Sequence, residues 1–287
     1  MKEEFNVLSL FDGMSCGQIA LNRAGIKYDN YFASEIDQAA ITVTQKNYPN
    51  TIQLGDITKI KASILPKIDL IIGGSPCQDI SNLNKFRLGL DGDKSSLFYH
   101  YYRLRNETKA TNFLLENVRG NKKAENTITK LMGKRPISFC SSLVCAQTRN
   151  RKYWTDIHIT SIPKNKQEML SDILQKDVSD KFYLTESNKN WLYNGGGQKS
   201  REKRYTSINP TRALCLTKRY PKAWNGTIIL DHKGERYLTP EECEILQTVP
   251  VGYTDCVKDG SRYEMLGNGW TVDIIAHIFS FLPTHLI

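Results

Sequence analysis

Three short stretches carry side chains that could do covalent chemistry. Ser75-Pro76-Cys77-Gln78 presents a thiol directly after a proline. Pro76 fixes its own φ and biases Ser75 toward an extended conformation, so the turn that carries Cys77 is stiff. Only a thiolate attacks carbon, so nucleophilic use of Cys77 requires a positive field or a helix N-terminus beside it. Taken alone, Pro-Cys fits an inert thiol after a tight turn better. Glu116-Asn117-Val118 follows the apolar run 113–115. A carboxylate in that place is expected to be partly buried, and a protonated one can hydrogen-bond a ring nitrogen and an exocyclic amine together. The alternative is a structural carboxylate at a strand end. Gln147-Thr148-Arg149-Asn150-Arg151 sets Arg149 and Arg151 two apart, on one side of an extended chain. They could hold an anionic ring oxygen, a phosphate or the thiolate, or simply form a surface pair.

A second pattern concerns a bound cofactor. Phe11, Gly13, Ser15, Cys16 and Gly17 span a turn between a strand-like and a helix-like segment. Glycines there let backbone amides approach a ligand beside a helix N-terminus. The turn is not Gly-x-Gly-x-x-Gly, so a phosphate-style dinucleotide site has weak support. Glu35 ends the second strand-like segment, where an acidic side chain can accept hydrogen bonds from ribose hydroxyls. Asp56 ends the third, placed for an adenine edge. Each signal is soft; together and in order they point to a nucleoside-bearing cofactor.

The elements that must position these groups alternate. Strands are expected at 6–10, 28–34, 51–54, 68–72, 112–115 and 152–159, with helices at 17–23, 37–48 and 96–105. Residues 77–95 carry no apolar period and read as a long loop. Strands alternating with helices imply an α/β fold with a doubly wound, mostly parallel sheet. Residues 160–236 break the rhythm with a Gly triplet, 195–197, and short β-like pieces at 213–217 and 227–230. Thr239-Pro240-Glu241-Glu242 is a capping box with Pro at the first helical position, and an amphipathic helix is expected at 271–282.

Composition narrows the function classes. The chain of 287 residues is 40% hydrophobic and 24% charged, as an ordinary globular protein is. No apolar run reaches the roughly 18 residues of a membrane span, and the acidic start does not suit a secretory signal. The 7 Cys include no CxxC pair, which argues against a disulfide framework or a zinc module and for reduced thiols in the cytoplasm. Between 199 and 222 lie eight basic side chains against Glu202 alone, within a formal net charge of +9. A polyanion partner or a solvated face would each account for that run.

Taken as a set, the motifs resemble those of the DNA (cytosine-5)-methyltransferases over essentially the whole chain. The matching residues run in the family's order: 11–17, Glu35, Asp56, Ser75-Pro76-Cys77, Glu116-Asn117-Val118, Gln147-x-Arg149-x-Arg151 and Gly267-Asn268. Two departures stand out. The last motif reads Gly267-Asn268-Gly269-Trp270, where the family usually has Ser after Gly-Asn, and position 80 is Ile instead of an aromatic. The first, with Gly73-Gly74 before Ser75 and Tyr153-Trp154 after Arg151, looks most like the animal de novo methyltransferases.

The resemblance implies an S-adenosylmethionine-dependent Rossmann-like fold that methylates carbon 5 of a cytosine flipped from duplex DNA. Cys77 would be the covalent nucleophile, Glu116 the partner of ring nitrogen 3, and Arg149 and Arg151 the holders of the base carbonyl and the catalytic loop. Phe11, Gly13, Ser15, Cys16, Gly17, Glu35, Ile36, Asp56, Ile57, Pro76, Asn268 and Trp270 would bind S-adenosyl-L-methionine. Residues 1–159 and 237–287 would form the catalytic domain and 160–236 the target-recognition region. Gln78, Asn82, Lys85 and Arg87 in the loop, and Arg201, Arg204, Lys218 and Arg219 in the basic run, would contact DNA. Neither a metal nor a membrane partner is implied, and a cytoplasmic, bacterial or phage-encoded enzyme is expected. A transfer-RNA cytosine methyltransferase and an inert DNA-binding protein of the same fold are the alternatives.

Overall fold

Every residue of β1 (Asn6–Leu10) is buried, as a strand covered on both faces requires. The chain continues through α1 (Cys16–Arg23), β2 (Asn30–Ser34), α2 (Gln38–Asn47), β3 (Ile52–Gln53), β4 (Leu70–Gly74), α3 (Phe98–Thr108), β5 (Asn112–Val118), α4 (Lys122–Met132), β6 (Ile137–Cys140) and β7 (Asn150–Thr155). These strands form a seven-stranded sheet in the order β3-β2-β1-β4-β5-β7-β6. The pairs β3–β2, β2–β1, β1–β4 and β4–β5 are parallel, and β5–β7 is antiparallel. Strand order reverses at β1, between β2 and β4. Open α/β sheets bind ligands outside the carboxyl ends of the strands at such a switch point. The structure, a computed structural model, describes residues 4–76, 90, 95–202, 206–221 and 226–283.

Alternation along the strands sorts the side chains by face. Leu8, Leu10, Ile71, Phe113 and Leu115 meet Phe98, Tyr101 and Leu104 of α3 and Ala124, Ile128 and Met132 of α4 in one apolar cluster. On the other face α1 comes so close that a Cβ on Gly17 would stand 2.5 Å from Ile72 Cδ1 and from the Tyr31 hydroxyl. Helix ends follow local rules. Asp37 caps α2 by accepting from Ala39 N at 2.9 Å, and Asn121 caps α4 by accepting from Lys123 N at 2.8 Å.

The contacts divide the chain into two compact units. The first comprises Met1–Phe139, Asn150–Ile162 and Ile274–Ile287; the second comprises Cys140–Arg149 and Pro163–Asp273. Segments 140–149 and 237–273 therefore pack with 163–236, a different cut from the boundaries 159/160 and 236/237 expected from sequence. The second unit holds α5 (Glu186–Asn194), α6 (Gly196–Glu202), β8 (Thr206–Ile208), β9 (Gly226–Asp231), β10 (Gly234–Tyr237), α7 (Pro240–Leu246) and α8 (Asp259–Asn268); α9 (Val272–Phe279) begins there and ends in the first unit. Its sheet runs β10-β9-β8. Arg236 on β10, 1% exposed, makes two parallel bonds of 2.9 Å to the Glu242 carboxylate. The same Glu242 accepts from Thr239 N at 2.8 Å, completing the capping box read from sequence.

The helices and strands differ from the expected ones at three points. The Gly triplet does not interrupt regular structure: 196 and 197 lie within α6, so the start of the basic run is helical. Residues 213–217 form no strand; Ala213 makes only an isolated bridge to Gln147. α4, β6, α5 and α8 were absent from the pattern reading.

Candidate active site

The turn after β1 has an unusual backbone. Phe11, Gly13 and Ser15 all have positive φ, at 59°, 59° and 61°. Only glycine adopts that region at no steric cost, so something must hold the other two. Asp12 does. Its buried carboxylate accepts from Ser9 Oγ at 2.6 Å, from the Tyr31 hydroxyl at 2.8 Å and from Ser15 Oγ. Burial pushes the Asp12 carboxyl up to about 6, against the lowering effect of the three hydroxyls. Ser15, Cys16 and Gly17 are buried at the start of α1.

Glu35 lies directly after β2 and ties this turn to its neighbour. One carboxylate oxygen accepts from Gly13 N at 2.8 Å. The other accepts from Ile36 N and Asp37 N at 2.8 and 2.9 Å. The Ile36 side chain is 76% exposed. After β3, Asp56 accepts from Thr58 N and Thr58 Oγ1 at 2.9 and 2.8 Å, bonds that hold its carboxyl below the usual range. Ile57 beside it is buried. Phe11, Gly13, Glu35, Ile36 and Asp56 thus all follow the carboxyl ends of the adjacent strands β1, β2 and β3.

β4 and β5 bring the second group together. Glu116 on β5 is in register with Gly74 on β4, three residues before Cys77. Arg151 Nε lies 2.9 Å from Glu116 Oε1. Asn117, 1% exposed, donates from Nδ2 to Ser75 O at 3.3 Å and Ser75 Oγ at 3.0 Å. It holds the residue before Pro76, so the end of β5 fixes the chain at Ser75. Cys77, Gln78, Asn82, Lys85 and Arg87 lie outside the described residues, as does Arg204.

The two arginines of the Gln147 motif have different partners. Arg151 pairs with Glu116 and donates to Asn150 O at 2.8 Å. Arg149, in the second unit, donates to Leu216 O and Gly269 O at 2.8 Å, to Gly267 O at 3.3 Å and to Cys215 Sγ at 3.4 Å. Gln147 is fully buried and bridges Leu216 N, Leu246 O and Gln247 Oε1. In the same unit Asn268 is exposed at the end of α8 and Trp270 is half-buried. Of the basic run, Arg201 lies over the Tyr193 ring at 5.2 Å, Lys218 is half-buried and Arg219 is exposed in a turn. Among the described residues no group of His, Cys, Asp and Glu could hold a metal ion, and no helix is long and apolar enough to cross a membrane.

Asp12, Tyr31, Asn117 and Gln247 received no role from the sequence. Ser9 and Ser15, three residues to either side of Asp12, were a local signal for its cage; Tyr31 comes from another strand and left none.

A family model described as C-5 cytosine-specific DNA methylase matches residues 5–135 and 121–282. The chain belongs to that family. This C-5 cytosine-specific DNA methylase is 28% identical over 303 residues to the Type II methyltransferase M1.ScrFI of Lactococcus lactis subsp. cremoris, covering 95% of the chain and 76% of the relative. It is 26% identical to the Type II methyltransferase M.DsaV of Dactylococcopsis salina, covering 96% and 85%. In structure it is similar to the Entamoeba histolytica methyltransferase EhMeth, with a TM-score of 0.78, 18% identity and coverage of 97% and 98%. It is also similar to the S. pombe Dnmt2 methyltransferase, with a TM-score of 0.72, 19% identity and coverage of 96% and 97%. The fold is the Rossmann-like one of S-adenosylmethionine-dependent methyltransferases, and the chain is a DNA cytosine methyltransferase, as the resemblance of its motifs implied.

Proposed function

We propose that the chain methylates carbon 5 of a cytosine flipped out of duplex DNA, with Cys77 as the covalent nucleophile. The observation that carries this reading is the Glu116–Arg151 pair beside Asn117, which anchors Ser75. A base in a duplex cannot reach a thiol inside a protein, so it must leave the stack. The Cys77 thiolate adds to carbon 6, and the electron pair of the 5,6 double bond becomes available at carbon 5. Glu116 hydrogen-bonds ring nitrogen 3 and the exocyclic amine, where charge develops. Arg151 orients that carboxyl and holds the base carbonyl. After methyl transfer a base removes the carbon-5 proton, the double bond re-forms and the thiolate leaves.

S-adenosylmethionine supplies the electrophilic methyl group when bound. The residues present suit it. An ideal Cβ on Gly13 meets nothing within 4 Å, so there is open space beside the turn. Glu35 offers carboxylate oxygens to ribose hydroxyls, Ile36 an exposed apolar face to a purine ring, and Asp56 an acceptor to its amine. Phe11, Ser15, Cys16, Gly17, Ile57 and Pro76 line that crevice, and Asn268 and Trp270 also bind the cofactor. The 160–236 region reads the DNA site, with Arg201, Arg204, Lys218 and Arg219 on phosphates or base edges. Gln78, Asn82, Lys85 and Arg87 fill the gap left by the flipped base.

Duplex DNA carrying 5-fluorocytosine tests the reading, because fluorine cannot leave as a proton and the adduct is trapped. With S-adenosylmethionine the native protein gives a denaturation-resistant adduct, and Cys77→Ala gives none while still binding the cofactor. An undiminished adduct in that variant would move the nucleophile elsewhere. Bisulfite sequencing of DNA from expressing cells identifies the site, and methyl transfer to transfer RNA in place of DNA would overturn the duplex substrate.

A further inference from the structure

Arg149 is 3% exposed, and its four acceptors match the four terminal N–H groups of a guanidinium. The acceptors fall in two segments far apart in sequence. Cys215 and Leu216 precede Lys218 and Arg219; Gly267 and Gly269 flank Asn268 and precede Trp270. The segments also touch directly. A Cβ on Gly267 would stand 2.2 Å from the Thr217 carbonyl carbon and 2.4 Å from Lys218 N. A parallel route runs through two buried amides. Gln147 Oε1 accepts from Leu216 N at 2.8 Å, Gln147 Nε2 donates to Gln247 Oε1 at 3.2 Å, and Gln247 Nε2 donates to Leu266 O at 2.5 Å and Gly269 O at 3.2 Å.

We propose that Arg149 is a positioning residue that couples DNA contact to cofactor binding by clamping the 215–219 segment to the 266–270 turn. What the two ends bind rests on the proposed function; the clamp itself does not. Backbone in van der Waals contact and bonded to one guanidinium cannot shift on one side alone. A phosphate drawn to Lys218 or Arg219 therefore biases the turn that carries Asn268 and Trp270, and the cofactor biases the basic segment in return. Such coupling is reciprocal by thermodynamic necessity.

The test reads binding, not turnover. The affinity for S-adenosylhomocysteine, which keeps the cofactor's nucleoside and amino acid but has no methyl group to transfer, is measured by calorimetry with and without saturating sonicated genomic duplex DNA, a mixture that contains every short site. In the native protein DNA tightens cofactor binding at least about fivefold. In Arg149→Lys, whose ammonium cannot span both segments, the factor falls below about twofold. A native protein with no tightening, or a lysine variant that keeps the full factor, overturns the coupling. Should the variant fail to fold, hydrogen exchange on the native protein decides. S-adenosylmethionine alone slows amides in 215–219 as well as in 266–271, and protection confined to the second segment overturns the proposal. A native protein that binds no S-adenosylmethionine at all removes the proposed function, and the coupling with it.

Discussion

Arg151 and Glu116 are diagonal neighbours across the antiparallel β5–β7 ladder, with Nε 2.9 Å from Oε1 and side chains 14% and 11% exposed. At that degree of shielding the two side chains form one unit, since removing either leaves the other's charge uncompensated. Glu116→Ala and Arg151→Ala should each slow methyl transfer at saturating S-adenosylmethionine by ~100-fold, about 2.7 kcal/mol in the barrier. The double variant should be no worse than the poorer single one by more than about threefold. Single-turnover transfer of labelled methyl to duplex DNA measures all three; multiplicative losses would show that the two act separately.

Asp12 gives the fold a pH dependence of known sign. Its carboxyl titrates at about 6 in the folded protein and at the ordinary 3.8 in the unfolded chain, chiefly because burial disfavours the charged form. The folded state therefore binds the proton more tightly. This group's favourable contribution is complete below 3.8 and is lost as pH rises through about 6, a difference of about 3 kcal/mol. Asp12→Asn keeps an acceptor for Ser9 and Tyr31 and lets the Ser15 hydroxyl rotate to accept. Urea midpoints of both proteins from pH 4 to 8, subtracted, isolate Asp12: native minus variant should fall across that window and level off above it. A flat difference curve would show that the carboxyl is ionised in both states.

Much of this was legible because it is local. β1 matched its expected span, Asp37 and Thr239 announced their caps, and strand-end Glu35 and Asp56 fell at adjacent carboxyl ends because parallel neighbours align them. What escaped depends on contacts between distant residues. The Gln147-x-Arg149-x-Arg151 spacing suggests a single paired function, yet Arg149 faces carbonyls more than sixty residues away while Arg151 pairs across a ladder. Nothing in the spacing carries that difference. The helix over 196–202 escaped for another reason: a Gly triplet has poor helix propensity, and Gln198 to Glu202 continue the helix regardless.

Glycines 13 and 17 separate two kinds of demand in one turn. Gly13 needs its positive φ but has open space around it, so Gly13→Ala should cost about 1 kcal/mol from backbone strain. Gly17 has ordinary φ but no room, so Gly17→Ala must push aside Ile72 Cδ1 and the Tyr31 hydroxyl and should cost about 1–3 kcal/mol. Both are read as urea midpoints. The cofactor affinity of Gly17→Ala should fall further than that of Gly13→Ala, because the Tyr31 hydroxyl it displaces donates to Asp12, which also holds Ser15. The reverse order would mean that the open space beside Gly13 is the tighter constraint.

Arg212 and Arg219 belong to the same basic run and should nonetheless behave differently. Arg212 donates from one nitrogen to Ser142 O at 2.8 Å and Cys145 O at 3.1 Å, so its charge is turned onto its own unit. Arg219 is exposed in a turn. If Arg219 meets a phosphate, Arg219→Ala should reduce the salt slope of duplex binding by about one unit, because one fewer counterion is released. Its urea midpoint should stay unchanged. Arg212→Ala should leave the slope as it is and cost about 1–3 kcal/mol of stability by stranding two partly buried carbonyls. Binding to one duplex at several salt concentrations, beside urea melts, gives both readouts for both variants. A slope that changes in Arg212→Ala and not in Arg219→Ala would move the DNA-facing side of this unit away from the 218–219 turn.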